Sequence, residues 1–152
     1  MTPEESLAKL GLKLPEAPKP VAAYVPAVRT GHLVQVAGQL PFVEGKLPTT
    51  GRLGDGVTVE EGQRLARLAA LNALAIVKAE VGELARVRRV VRVGAFVASA
   101  DSFTDQPRVA NGASELLQQV FGEKGRHARA AVGVNVLPLG SPVEIELLVE
   151  VE

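Results

Sequence analysis

Between Arg126 and Val151 the chain reads R-H-A-R-A-A-V-G-V-N-V-L-P-L-G-S-P-V-E-I-E-L-L-V-E-V, and its side chains alternate on both sides of a Pro/Gly turn. A period of two commits this part of the chain to β-structure, with Leu137 to Pro142 as the turn and neither proline required to donate a ladder bond. In the first strand Ala128, Ala130, Val132, Val134 and Val136 share one face, while Arg129, Ala131, Gly133 and Asn135 share the other. In the second, Val143, Ile145, Leu147, Val149 and Val151 face one way and Glu144, Glu146, Leu148 and Glu150 the other. Read as a hairpin, the stretch sets one arginine over a floor of very small residues with carboxylates on the partner strand. Such an arginine is a seat for a small carboxylate, which a guanidinium grips through two parallel hydrogen bonds. The same pattern also fits a structural Arg-Glu cross-strand pair.

The chain has 152 residues, the size of one domain. Lys plus Arg and Asp plus Glu both number 17, so no global field attracts nucleic acid or an anionic membrane. There is no cysteine and there are two histidines, His32 and His127, which removes thiol chemistry, disulfides and a His/Cys metal site. No run approaches the apolar length of a membrane span, and the N-terminal residues Glu4, Glu5 and Lys9 do not form a leader, so a cytoplasmic protein is expected.

Thr2-Pro3-Glu4-Glu5 is a capping box that predicts a short helix to about Leu10, stopped by Gly11 and serving as a lid or clasp. After a proline-rich segment, Lys13 to Pro20, two strands are predicted at Val21–Val28 and Leu33–Gln39 around the turn Arg29 to His32. Gly38 within the second strand marks a bulge or a close approach by a ligand or a neighbouring chain. Glu44 to Asp55 reads as a polar loop. A second capping box at Thr58 predicts a long helix to about Val81, with Leu65, Leu68, Ala69, Asn72, Ala75, Ile76 and Ala79 on one face and Asn72 a structural hydrogen-bonder. Val87 to Ala98 has the β-branched density of a central strand, and Arg86, Arg88 and Arg89 at its entry read as solvated charges. Pro107 opens a third helix to about Phe121, carrying Asn111 in its first turns. The order predicts an α+β domain with two main helices on one face of a mixed sheet. The other face, apolar or lined by very small residues, is predicted to be buried against identical copies in a closed ring.

V-A-G-Q-L-P at Val36 to Pro41, H-A-R-A-A-V-G-V-N-V-L-P at His127 to Pro138 and V-E-I-E at Val143 to Glu146 resemble the Rid, or YjgF-like, family of reactive-intermediate deaminases. The resemblance covers Val21 to Glu152, and the extended N-terminus matches a longer subgroup. It implies a chorismate-mutase-like fold, a homotrimer with sites in the clefts between subunits, a small carboxylate-bearing substrate and no cofactor. It implies that Arg129 binds the substrate carboxylate, that Glu144 orients the hydrolytic water, and that Tyr24, Gly38 and Asn111 line the cleft with backbone groups beside Ala131. Ala131 stands where the family often has cysteine, and Ala37 where it often has serine, so the pocket lacks a hydroxyl. The reaction implied is hydrolysis of 2-imino or enamine acids to 2-keto acids and ammonia. The rival expectations are a non-catalytic trimeric binder of a small carboxylic metabolite, and an endoribonuclease or translation inhibitor. One tyrosine and four phenylalanines on a neutral chain argue against the last, because stacking and phosphate contacts need aromatics and positive charge.

Overall fold

Thr2 opens the first helix as its capping box predicts. In the computed structural model, which describes residues 1–18 and 23–152, the Thr2 hydroxyl accepts from the Glu5 amide at 3.1 Å and the Thr2 amide donates to Glu5 Oε2 at 2.7 Å. Helix α1 spans Pro3–Lys9. Its Leu7 enters the core and its Glu4 accepts from the Leu84 amide at 2.7 Å, so α1 is a clasp on the helical layer.

Strands β1 (Ala27–Thr30) and β2 (Leu33–Gln39) pair antiparallel around Gly31 and His32. Gly31 takes φ +57°, which favours a residue without Cβ. The strand expected from Val21 is therefore corrected: Tyr24 makes only an isolated bridge, and since Pro26 has no amide to give a ladder, the continuous pairing begins at Ala27. Val21 and Ala22 lie outside the described residues. The region read as a polar loop also contains a two-residue parallel pair, β3 (Arg52–Leu53) and β4 (Gly56–Val57), anchored by fully buried Leu53.

Helix α2 spans Val59–Val81 and is capped by the Thr58 hydroxyl, which accepts from the Glu61 amide at 3.1 Å. Only this half of the predicted capping box forms. Arg64 and Thr49 hold the Glu61 carboxylate instead, and these bonds pull its pKa down to about 2. The buried face of α2 is broader than the predicted stripe, centring on Ala66, Ala70, Ala73, Leu74 and Val77 and leaving Ala79 exposed. The reason is that α2 packs on the sheet and on a second helix together.

Strand β5 (Val87–Ala98), helix α3 (Gln106–Phe121), strand β6 (Ala128–Val134) and strand β7 (Val143–Val151) complete the chain. The five-stranded sheet has the order β1-β2-β7-β5-β6. Here the predicted hairpin is corrected. Strand β6 pairs parallel with β5, as a crossover through α3 requires, and β7 pairs antiparallel with β5 on its other side. The Asn135–Pro142 connection is long enough to step over one intervening strand, a span of about 10 Å. Arg129 and Glu144 consequently have β5 between them and form no cross-strand pair.

Helix α2 lies over β2 and β7, and α3 over β5 and β6, all on one face of the sheet. Val34, Val36, Val93, Ile145, Leu147 and Val149 fill the space beneath them. The two helices touch backbone to backbone, since a Cβ on Gly112 would sit 2.7 Å from the carbonyl carbon of Gln63. The opposite face presents Val28, Leu33 and Val132, all exposed, beside Leu148 and Phe96. Arg86, Arg88 and Arg89 are exposed at the strand entry, as predicted. Among the described residues no helix is long and apolar enough to cross a membrane.

Candidate functional site

The pairing of β6 with β5 decides where Arg129 points. Arg129 lies opposite Val93, which in turn lies opposite Leu147, so its side chain belongs to the helix-covered face. There Nη1 donates to Asn111 Oδ1 at 2.9 Å and to Ser114 Oγ at 3.1 Å, both on α3. Asn111 and Ser114 are three residues apart and so share one helix face. Both bonds use Nη1. Among the described residues Nε and Nη2 have no partner, leaving free the edge that grips a carboxylate side-on. Ala131, two residues along the same strand face, is half-buried and offers backbone rather than chemistry.

Glu144 occupies the other face. Phe96 lies opposite it on β5, and Phe96 is opposite Val132 on β6, so Glu144 shares its face with Ala130 and Val132 and not with Arg129. The Glu144 carboxylate lies over Gly38: a Cβ there would come within 2.8 Å of Glu144 Cδ. Gly38 is thus a close-approach glycine at a real bulge, the register slipping between Val36 and Gln39. A cleft of about 370 Å³ opens beside them, lined by Tyr24, Pro26, Gly38, Phe42, Leu139 and Glu144. Leu139 holds φ +59°, a left-handed conformation uncommon for leucine, and stands exposed at the cleft.

Glu144 and Glu146, indistinguishable by strand parity, differ in their partners. Glu146 is paired with Arg92 Nη1 at 2.7 Å, whereas the Glu144 carboxylate has no hydrogen-bond or ion-pair partner among the described residues. Burial pushes the Glu144 carboxyl above its usual range, and the neighbouring Glu146 charge adds to the shift. A carboxyl with a raised folded-state pKa favours the fold below its unfolded pKa, and that contribution is lost as pH rises through the folded value. Glu144→Gln is therefore expected to raise the thermal midpoint at pH 8 and to lose that advantage at pH 4. Thermal denaturation at the two pH values measures it, and a midpoint that falls at pH 8 contradicts the assigned environment.

The six residues predicted for the site thus fall into two groups. Arg129, Asn111 and Ala131 lie together between β6 and α3, while Tyr24, Gly38 and Glu144 meet at the opposite face of the sheet. Sequence reasoning missed Ser114 and His127, which extend the Arg129 network, and the cleft walls Phe42 and Leu139. The available signals were modest: Ser114 follows Asn111 by one helical turn, and His127 has the strand parity of Arg129. Asn72 is structural, as predicted, with Nδ2 donating to the carbonyls of Leu40 and Phe42 at 3.0 and 3.1 Å.

Comparison with known proteins agrees with this architecture. Residues 4–151 match the family described as "YjgF/chorismate_mutase-like, putative endoribonuclease". Protein TCP17 of Trypanosoma cruzi is 50% identical over 146 residues, covering 95% of this chain and 91% of that protein. The 2-iminobutanoate/2-iminopropanoate deaminase of Dermatophagoides farinae is 32% identical over 141 residues, covering 93% and 95%. The crystal structure of Atu1372, a protein with unknown function from Agrobacterium tumefaciens, superposes with a TM-score of 0.93 at 48% identity, covering 99% of this chain and 92% of that one. With the family matched across nearly the whole chain and a solved relative superposing over 99% of it, this protein belongs to the YjgF family and carries its chorismate-mutase-like fold.

Proposed function

We propose that the protein hydrolyses 2-imino acids to 2-keto acids and ammonia in clefts shared by neighbouring copies of a cytoplasmic homotrimer. The observation that carries this reading is the division of the site: a half-committed arginine on one face of the sheet and, in a cleft on the other, a carboxylate with no partner among the described residues. Neither half suffices for an imino acid. A closed ring in which the β6 edge of one copy meets the Glu144 cleft of the next brings both to one substrate. The apolar open face of the sheet supplies surface for such a contact.

In this site Nε and Nη2 of Arg129 hold the carboxylate and draw electron density from the adjacent imine carbon. Glu144 takes a proton from water as the water oxygen bonds to that carbon and passes that same proton to nitrogen, so the C=N bond becomes a C–NH2 single bond. Glu144 then takes the proton of the new hydroxyl as the carbonyl forms and hands it to nitrogen as the C–N bond breaks and ammonia leaves. A carboxyl whose pKa is raised by burial suits this exchange better than an ordinary one, because proton transfer is most effective when the catalyst pKa nears the working pH. Water is the sole co-reactant. The relative from Dermatophagoides farinae, named as an imine deaminase, supports the substrate class.

The test is an amino-acid oxidase that generates 2-imino acids in the presence of the purified protein. Faster imine loss is expected with wild type, and Arg129→Ala should lower kcat/KM by about a hundredfold or more. Full activity in Arg129→Ala overturns the mechanism. Absence of turnover in wild type, together with Arg129-dependent carboxylate binding, identifies instead a non-catalytic carboxylate binder, a reading favoured by the alanines at Ala37 and Ala131.

A further inference from the structure

Beyond Arg129 the hydrogen-bond network continues inward to a histidine that the proposed chemistry leaves unused. Ser114 Oγ lies 2.8 Å from His127 Nε2, and His127 Nδ1 lies 2.6 Å from the Gly125 carbonyl oxygen. Gly125 is wedged against α3, where a Cβ would fall 2.7 Å from the Leu117 carbonyl carbon, so its carbonyl is fixed in place. A carbonyl can only accept, which puts the proton on Nδ1 and leaves Nε2 of the neutral ring an acceptor. Ser114 has one proton, and it goes to Nε2. The serine oxygen then has its lone pairs available for Arg129 Nη1. The direction of every bond from Gly125 to Arg129 follows from one carbonyl.

We propose that His127 is a positioning residue for the carboxylate site: its neutral Nδ1–H form fixes the Ser114 hydroxyl that holds Arg129, and protonation of His127 releases that arginine. The role of the site as a carboxylate clamp rests on the reading above; the relay itself does not. On protonation Nε2 becomes a donor, and the Ser114 oxygen must serve two cations that repel each other. The surroundings offer no compensation. Arg89 from β5 and Arg126 line the same hollow as His127, and Arg129 follows on the strand. Glu123 pairs with Arg126 at 3.7 Å, and Lys124 is exposed. Among the described residues no carboxylate is hydrogen-bonded to His127. Burial accordingly lowers the His127 pKa below its ordinary value, the bond to Gly125 opposes this, and the Arg129 charge adds to the lowering.

The experiment measures binding of 2-oxobutanoate, a stable 2-keto acid, by calorimetry between pH 8 and pH 5, together with the NMR signal of the Arg129 Nε–H in the ligand-free protein. Wild type is expected to bind about tenfold more weakly for each pH unit below the His127 ionisation. His127→Phe and Ser114→Ala should bind weakly at every pH. His127→Gln, whose amide oxygen can accept from Ser114 but does not titrate, should bind tightly throughout. Affinity that rises or stays level as wild type is acidified, or a glutamine variant no better than phenylalanine, overturns the proposal. If wild type binds no 2-oxobutanoate at any pH, the carboxylate reading fails, and the NMR signal decides the relay alone. It should shift across the His127 ionisation in wild type and not in His127→Gln, and a signal indifferent to pH overturns the relay.

Discussion

Mixing Arg129→Ala chains with Glu144→Gln chains is expected to restore about a quarter of the wild-type turnover proposed for 2-imino acids, although each variant alone is expected to lose about a hundredfold or more. The expectation follows from the sheet. Arg129 projects toward α3 and Glu144 toward the opposite face, with β5 between their strands. A proposed site therefore takes its arginine from one copy and its carboxylate from the next. In a randomly mixed ring about one junction in four joins a copy with an intact Arg129 to a copy with an intact Glu144, whatever the ring size. The two variants would be refolded together in equal amounts and the whole population, unmixed rings included, assayed against imino acid. A mixed assembly as inactive as its parents would show that each site uses both residues of a single chain, or that the pair named here is wrong.

Gly112→Ala is expected to destabilise the fold by about 1–3 kcal/mol, lowering the thermal midpoint by roughly 3 to 10 °C. Intrinsic helix propensity argues the other way, since alanine in mid-helix gains about 1 kcal/mol over glycine. The overlap wins because of what the new methyl meets. At Gly112 it runs into the backbone of Gln63, with Cα 2.9 Å and the carbonyl carbon 2.7 Å away, and two helices must part to admit it. Gly62 is the contrasting case: its added Cβ would meet Leu53 Cδ1 and Val109 Cγ1 at 3.0 Å, side-chain ends that can turn aside. Gly62→Ala should cost less than Gly112→Ala in the same urea or thermal titration. Equal stability of Gly112→Ala and wild type would refute the close crossing.

Helices were the most legible part of this chain because their signals are local. Thr2, Thr58 and Gly82 announce helix ends through bonds made within one turn, and Pro107 through its fixed φ. Strand order was less legible, since the turn at Leu137 to Pro142 carries no record of the strand it must step over. That single non-local fact moved Glu144 away from Arg129 and toward Gly38. Family resemblance identified Arg129, Glu144, Tyr24, Gly38 and Asn111 as a set, and the geometry divides the set in two. The choice between Glu144 and Glu146 was closed to pattern reasoning, because the distinguishing fact is Arg92 on another strand. Ser114 and His127 escaped for a similar reason, as they become neighbours only when α3 docks on β6.

Asn72 has a consequence for how this scaffold tolerates change. Its amide ties the carbonyls of Leu40 and Phe42 to the long helix, so the near wall of the Glu144 cleft is held by the core. Leu53 secures the chain again at the far side of the Val43–Arg52 excursion, fully buried beside Val97 and Val143. Between these two anchors the exposed tip around Glu44 and Gly45 can lengthen or shorten with little strain on the cleft. Variation in that tip would alter what passes over the entrance while the geometry of the cleft beneath it stays constant.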